Sequence, residues 1–361
     1  MKIGILTFHY AHNYGAVFQS YALQEYLKSL GHSVYFIDYR IPTVNTYTKK
    51  DNHRDWISKN PKACLSRLWQ FYRYRDIRHR RWNGFNNFVT KYLNIIPYST
   101  DFDKNLDCVI LGSDQIWSSA HSGGKIDPVY FGKDINIPVI SYAASGVTKI
   151  LSESHKADLQ KLLANLKAIS VREENLRNHL QPYSQKEIHV VLDPTLICNK
   201  KDFEKIIPKS DAKRPYIVVY EIKRNSKTLE FARNIAAQLD ADIIELTNGM
   251  TSRHQSWMRE DATPEEVLGL IKNAKAMVTT SFHGTALSLK FNVPFYALRQ
   301  HTTADDRIEN ILAKTASLER FVEMTSTPKF TIPDFGNINS NLSELIKEST
   351  DFLREALINN Q

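Results

Sequence analysis

Short apolar runs and helical patterns alternate along most of the chain. The runs at 2–8 and 33–39 are strand-like, and between them the apolar positions of 16–30 recur at the spacing of one helix face. A second series of the same kind begins at Tyr216, after a less regular stretch at 195–212. This alternation predicts an α/β protein of two domains, each built on a parallel sheet with right-handed crossovers.

The domain boundary is predicted in that irregular stretch. We assign 1–200 to the N-terminal domain, 201–335 to the C-terminal domain and 336–361 to a terminal amphipathic helix. Residues 41–100 interrupt the alternation, which predicts a basic helical insertion at about 50–95. Arginines and aromatic residues are interleaved in this insertion, namely Arg67, Trp69, Phe71, Tyr72, Arg73, Tyr74, Arg75, Arg78, Arg80, Arg81 and Trp82.

The insertion has three interpretations. A solvated basic face on a helical hairpin is the first. The second is a surface that meets anionic lipid headgroups or a lipid-linked diphosphate, with arginine for phosphate and aromatic rings for the interface. Nucleic-acid binding is third, because no recognised nucleic-acid module accompanies the patch. We therefore expect the protein to bind no nucleic acid.

Polar residues follow several of the predicted strands. Asn13 and Gly15 lie after the first strand, Ser113-Asp114-Gln115 after a strand at 107–111, and Ser145 and Arg172 after two later ones. Because the carboxyl ends of parallel strands meet at one edge of a sheet, we expect these loops to gather there. Such groups can hydrogen-bond to sugar hydroxyls. Asn13 could instead cap a helix, and Gly-Ser-Asp could form a simple turn.

The stretch 276–298 reads as strand, tight loop, helix and strand. The loop is predicted at 281–285, with His283 on it and Gly284 beside it. Free backbone N–H groups and the dipole at the start of the following helix attract anions. His283 is therefore a candidate functional residue, the alternative being a capping or supporting role.

Composition narrows the chemistry only slightly. A net charge of +8 and a pI near 9.1 favour anionic partners: phosphorylated small molecules, a membrane surface or nucleic acid. The three cysteines form no CxxC or Cys/His cluster, so buried thiols in a reducing compartment and no metal are expected. The first residues suit a strand better than a signal peptide, and no apolar run is long enough to span a membrane.

A set of short motifs occurs in a specific order along the chain. The motifs are Asn13-x-Gly15-Ala16-x-x-x-Gln19, Gly112-Ser113-Asp114-Gln115-Ile116-Trp117, Ser141-Tyr142-Ala143-Ala144-Ser145, Val171-Arg172-Glu173, Asp193-Pro194-Thr195 and Ser281-Phe282-His283-Gly284. Together they resemble the polysaccharide pyruvyl transferase family over roughly residues 1–315. That resemblance implies transfer of the enolpyruvyl group of phosphoenolpyruvate to a sugar, usually closing a cyclic pyruvate ketal. It also implies two Rossmann-like domains facing a cleft, as in GT-B proteins.

One position departs from the family pattern. Many members carry an arginine two residues before the histidine of the last motif, where this chain has Ser281. The cation that grips an anionic group must then come from elsewhere. The available candidates, in order of preference, are Arg307, Arg172 and Arg253.

The chemistry of the implied reaction assigns roles to these residues. Proton delivery to the phosphoenolpyruvate methylene needs a general acid, for which we choose His283, and Asp114 is the expected base or acceptor ligand. We expect no cofactor beyond phosphoenolpyruvate as co-substrate. The expected substrate-binding residues are Asn13, Gly15, Ser113, Gln115, Ser145, Arg172, Gly284, Thr285 and Arg307.

The expected acceptor is a galactose or N-acetylmannosamine type sugar, free or lipid-diphosphate-linked, of a capsule or exopolysaccharide precursor. The expected location is the cytoplasm or the inner face of the membrane, where the chain acts alone or as a homo-oligomer. Two alternatives stay open. One is a GT-B nucleotide-sugar glycosyltransferase, and the other is a non-catalytic glycan-binding protein, which the missing arginine at Ser281 favours.

Overall fold

The computed structural model describes residues 1–41, 44, 61–118, 126–146, 156–209, 214–247, 254–303 and 305–358. Within them, two parallel sheets of five strands each carry the fold. Helices cover the sheets, and this confirms the predicted α/β class with two Rossmann-like units of GT-B type. None of the described helices combines the length and apolar character that a membrane crossing needs.

The N-terminal sheet has the strand order β3-β2-β1-β4-β5, and every pair is parallel. Bridges from Ile140 to Ala168 and from Ala144 to Val171 attach a further parallel pair, β6 and β7, beside β5. The central strand is buried from its second residue, Ile3, to its last, Leu6, as its apolar run predicts. The strands are β1 (Lys2–Leu6), β2 (Ser33–Asp38), β3 (Ile95–Pro97), β4 (Cys108–Leu111), β5 (Val139–Ser141), β6 (Ile169–Val171) and β7 (Ile188–Val190).

The first helix begins earlier than its apolar pattern predicts. Asn13 accepts hydrogen bonds from the backbone N–H groups of Gly15 and Ala16, so the helix starts at Tyr14 rather than Ala16. The helices of this half are α1 (Tyr14–Ser29), α2 (Pro61–Arg73), α3 (Arg75–Tyr92), α4 (Lys156–Ala164), α5 (Glu174–Leu180), α6 (Pro194–Ile197) and α7 (Lys200–Glu204).

The C-terminal sheet has the strand order β12-β11-β10-β8-β9, again parallel throughout. Its strands are β8 (Tyr216–Glu221), β9 (Asp242–Thr247), β10 (Ala276–Thr279), β11 (Phe295–Leu298) and β12 (Phe321–Val322). Its helices are α8 (Ser226–Gln238), α9 (Pro264–Lys272), α10 (Phe282–Phe291), α11 (Asp305–Lys314) and α12 (Phe335–Ile358).

The last helix crosses back to the first sheet. It begins at Phe335, before the position that its apolar spacing indicates, and Ser349 accepts a hydrogen bond from the backbone of Leu192 at 2.9 Å. Phe352 packs on His189 of β7, with ring centroids 5.0 Å apart. The largest apolar cluster accordingly contains residues of both sheets.

The predicted helical insertion is present as α2 and α3, but much of its positive charge is not on the surface. Arg78 and Arg81 are buried, so both the solvated-face and the lipid-face interpretation are wrong for them. Arg80 donates to Asp261 and Glu266 of the C-terminal half. Arg73 and Arg75 are exposed, and the side chain of Arg67 lies outside the described residues.

Candidate functional site

The carboxyl edges of the two sheets meet around the first turn of α10. The predicted loop at 281–285 is shorter than expected, because β10 ends at Thr279 and Ser281 caps a helix that already begins at Phe282. His283 is therefore held on a helix and not on a loop. Thr285 donates both its backbone N–H and its hydroxyl to the carbonyl of Ser281, which fixes the turn.

The start of α1 lies directly against the ring of His283. A Cβ atom built on Gly15 would come within 2.1 Å of Nδ1 of His283, far closer than any real contact. Gly15 is thus the residue that admits the histidine between the two sheets. Gly284 lies against the adjacent strand, since a Cβ atom built on it would come within 2.3 Å of Oγ1 of Thr279.

Asp193 is the central residue that sequence reasoning left out of the site. It is 1% exposed and accepts hydrogen bonds from Ser113 Oγ at 2.9 Å and from Arg172 Nη1 at 2.6 Å. Its other oxygen accepts from the backbone N–H and the hydroxyl of Thr195. Nε2 of His283 lies 3.7 Å from its Oδ2, an ion-pair distance rather than a hydrogen bond.

The signal for Asp193 was present in its motif. Asp-Pro-Thr reads as a helix cap with proline at the first helical position, and Asp193 does cap the short helix α6. Only the packing of the other motifs around Asp193 shows that the capping carboxylate also contacts side chains of the site. Asp193 connects Ser113, Arg172 and His283, which belong to three different motifs.

Electrostatics keep this carboxylate ionised. Burial alone would raise the pKa of Asp193, but His283, Arg172 and the backbone of Thr195 together hold that pKa well below the usual range. Arg172 is itself buried, and it also contacts Glu173 at 3.2 Å. Its guanidinium lies 4.6 Å from the ring centre of Phe282, so it joins the two halves of the protein.

The loops that end the N-terminal strands lie together, as expected. Asp114 and Ala144 form a parallel bridge, and Ser145 Oγ donates to Glu173 at 2.6 Å. Asp114 has a φ of +84°, an uncommon conformation for a residue with a side chain. Its carboxylate accepts the backbone N–H of Gln115 at 2.8 Å, and both side chains are half-buried.

Arg307 is brought to the same place from α11. Together with Arg172, Asp193 and Phe282 it lines a small cavity between the halves. Burial and the charge of Arg172 lower the pKa of Arg307, while Glu173, Asp114 and Asp193 oppose that shift. The third candidate cation, Arg253, lies outside the described residues.

The charges around the site balance when the histidine carries a proton. His283, Arg172 and Arg307 then face the carboxylates of Asp114, Glu173 and Asp193. Nε2 of His283 is buried and makes no hydrogen bond within the described residues. That nitrogen lies beside the Asp193 carboxylate, at an ion-pair distance of 3.7 Å. The described residues contain no group of three or more histidine, cysteine or carboxylate side chains placed to hold a metal ion.

His12 directly precedes Asn13, the cap of α1. Burial, assisted by the charge of Arg81, lowers the pKa of His12 to about 4, so its ring is neutral near pH 7. The ring stacks on Phe85 of α3 with a centroid distance of 5.1 Å. His12 is thus a neutral group beside the start of α1 and not a second cation.

Comparison with known proteins identifies one family. The family model described as polysaccharide pyruvyl transferase matches residues 13–302, which contain every site residue named above except His12 and Arg307. No protein of curated function matches the sequence significantly.

Among solved structures, similar chains share few residues with this one. A UDP-GlcNAc 2-epimerase from Neisseria meningitidis bound to UDP-GlcNAc is 13% identical, with a TM-score of 0.44 over 99% of this chain and 94% of that one. The corresponding epimerase of Methanocaldococcus jannaschii, in complex with UDP-GlcNAc and UDP, is 12% identical, with a TM-score of 0.45 over 96% and 93%. An O-GlcNAc transferase variant from Thermobaculum terrenum is 9% identical, with a TM-score of 0.41 over 99% and 64%.

Proposed function

Because the chain belongs to the polysaccharide pyruvyl transferase family, we propose that it moves the enolpyruvyl group of phosphoenolpyruvate onto a sugar. The acceptor is of galactose or N-acetylmannosamine type, in a precursor of a bacterial surface polysaccharide. Two of its hydroxyls and the pyruvate carbon close a cyclic ketal, and inorganic phosphate is released. The chain acts in the cytoplasm, where phosphoenolpyruvate is its only co-substrate.

The observation that carries this proposal is the buried, unpartnered Nε2 of His283 beside the Asp193 carboxylate. In the first step this nitrogen gives its proton to the methylene carbon of phosphoenolpyruvate, which becomes a methyl group. The neighbouring carbon then has oxocarbenium character, and an acceptor hydroxyl attacks it while Asp114 takes the hydroxyl proton. Phosphate leaves with its bonding electrons, and the second hydroxyl closes the ring as its proton passes to phosphate.

Anion recognition is assigned to two features of the C-terminal half. The backbone N–H groups at the start of α10 face the site and suit a phosphate group. Arg307 is the arginine assigned to the carboxylate, because it lines the small cavity between the halves. Asn13, Gly15, Ser113, Gln115 and Ser145 form the acceptor side.

The decisive experiment measures phosphate release from phosphoenolpyruvate with a panel of galactosyl and N-acetylmannosaminyl acceptors. His283→Ala should lower kcat by at least roughly tenfold to a hundredfold, because general acid catalysis is lost. His189→Ala, whose side chain is 45% exposed on β7, is the matched control and should retain full activity. Wild-type turnover by His283→Ala would remove His283 from the chemistry, and no phosphate release with any acceptor would contradict the proposed function.

One observation favours a second candidate, a nucleotide-sugar glycosyltransferase. The backbone N–H groups at the start of α10 can bind the diphosphate of a nucleotide sugar as readily as phosphoenolpyruvate. Thermal-shift titration separates the two, since the true donor stabilises the fold according to its affinity. We expect phosphoenolpyruvate to raise the melting temperature and Arg307→Ala to abolish that rise. Stabilisation by UDP- or GDP-sugars alone would favour the second candidate.

A further inference from the structure

One face of α2 exposes large apolar side chains to solvent. Leu65, Trp69 and Tyr72 are 71%, 61% and 62% exposed. They lie at positions i, i+4 and i+7 of the helix, which places them in one stripe. Isolated exposed apolar residues are common on proteins, but a continuous stripe with two large aromatic rings indicates a contact surface.

The exposed positive charge of the insertion lies at the end of this stripe. Arg73 and Arg75, at the junction of α2 and α3, are both exposed. Among the other described arginines of the insertion, Arg78 and Arg81 are buried, while Arg80 is exposed but pairs with two carboxylates. The hairpin therefore has one side fixed to the protein by arginines and one side that presents apolar and aromatic groups with adjacent cations.

We propose that this stripe binds the surface of an anionic lipid bilayer. Tryptophan and tyrosine have apolar rings with a polar group, and such side chains are enriched at membrane–water boundaries. Arginines next to them attract the negatively charged headgroups, and the net charge of +8 adds a general attraction. The contact is peripheral, because the apolar side of α2 suits a helix that lies in the interface plane.

A second copy of the chain fits the same stripe less well. A second copy of the chain carries the same net charge of +8 and so offers this face no general electrostatic attraction. An anionic bilayer compensates this charge. The proposal concerns where the protein acts and holds whichever sugar chemistry the site performs.

The hairpin also connects this stripe to the candidate site. Arg81 of α3 donates to the hydroxyl of Tyr14, which directly precedes Gly15 beside His283. Tyr74, at the junction of the two helices, packs on His254 of the C-terminal half with ring centroids 5.8 Å apart. A hairpin held on a bilayer would thus fix the position of the site relative to the lipid surface.

The test is co-sedimentation of the full chain with vesicles of phosphatidylglycerol and phosphatidylcholine in equal parts. Wild type should partition onto these vesicles and much less onto pure phosphatidylcholine. The combined Leu65→Ala, Trp69→Ala and Tyr72→Ala variant should bind at least roughly tenfold more weakly. An Arg73→Glu and Arg75→Glu variant should lose the preference for phosphatidylglycerol, and added salt should weaken wild-type binding.

The matched control removes equally exposed apolar groups elsewhere, by Tyr98→Ala, Ile332→Ala and Ile358→Ala. It should bind vesicles like the wild type, and melting curves should show that each variant is folded. Equal binding by the stripe variant, or no vesicle binding by the wild type, would overturn the proposal. Dimers that dissociate in the stripe variant, without vesicle binding, would assign the surface to a second copy.

Discussion

Gly15 is where the two halves of the protein approach most closely beside a candidate catalytic group. The position lies in the first turn of α1, so alanine there is compatible with the helix itself. Its Cβ would nevertheless occupy the place of the His283 ring. We predict that Gly15→Ala lowers kcat by at least roughly tenfold, because a displacement of about 1 Å at a reacting group can cost that much or more.

The comparison that tests this uses a glycine without such a neighbour. Gly336 is exposed at the start of α12, and a Cβ there would meet only the flexible carboxylate of Asp334. Gly336→Ala should keep wild-type turnover in the phosphate-release assay. If Gly15→Ala were as active as wild type, the contact with His283 would have no part in catalysis.

Asp193 has a positioning role, since it acts on the reaction through His283. We predict that Asp193→Asn lowers kcat/KM by at least roughly tenfold, because the imidazolium loses its ion-pair partner. The amide oxygen can still accept from the backbone N–H and the hydroxyl of Thr195, while the amide nitrogen takes the place of the oxygen that accepts from Ser113 and Arg172. The pH above which kcat/KM declines should also move to a lower value in this variant.

Ser113→Ala is the control variant for the pH dependence of kcat/KM. It removes one hydrogen bond to Asp193 but leaves the charge that faces His283. Its activity should decline at the same pH as that of the wild type. A pH profile that Asp193→Asn does not move would show that Asp193 supports the fold and does not assist proton transfer.

Among the elements, α3 links the insertion to both sheets. Nη1 of Arg81 donates to the hydroxyl of Tyr14 and to the backbone carbonyls of Thr247 and Glu260. Its guanidinium also lies over the rings of Tyr14 and Phe85. The insertion is therefore an integral part of the fold and not an appendage on the N-terminal domain.

Removing this arginine should be costly. We predict that Arg81→Met lowers the free energy of unfolding by about 2–3 kcal/mol, because buried acceptors lose charged hydrogen bonds. Urea unfolding measures the difference. Arg75→Met, at the exposed start of the same helix, should change the free energy of unfolding by about 0.5 kcal/mol or less. Equal effects of the two changes would contradict the anchoring role of Arg81.

At the scale of the whole molecule, one buried acid makes stability depend on pH. Glu221, at the end of β8, is 2% exposed, and burial raises its pKa to about 7, with the charge of Glu245 adding to the shift. The unfolded chain loses this proton near pH 4.3. The protonated acid therefore contributes its full stability below that pH, and the contribution is lost as pH rises through about 7.

Glu221→Gln imitates the protonated form at every pH. We predict that the variant and the wild type differ little in stability at pH 5. At pH 8 the variant should be more stable by on the order of 2 kcal/mol. Melting curves across this range measure the difference, and Glu355→Gln, at an exposed position of α12, should show none. If the difference in stability between Glu221→Gln and wild type were the same at every pH, Glu221 would be ionised across the whole range.

The sequence by itself determined the α/β class, the two parallel sheets and the gathering of the loops at Ser113, Ser145 and Arg172. These features follow from apolar periodicity and from the geometry of parallel strands, which act over short stretches of chain. Helix starts were less certain, because a single cap decides them. Asn13 and Ser281 each begin their helix before the apolar pattern does.

Only the tertiary structure decided which groups act on one another. Gly15 and His283 meet because the two sheets face each other, and no local pattern encodes that contact. The same holds for Asp193, whose motif reads as a helix cap until Arg172 and His283 pack against it. It holds also for Arg81, which reads as a surface cation but lies buried between the halves. Burial and partner choice depend on packing between residues distant in sequence, and this packing changes the chemistry of each side chain.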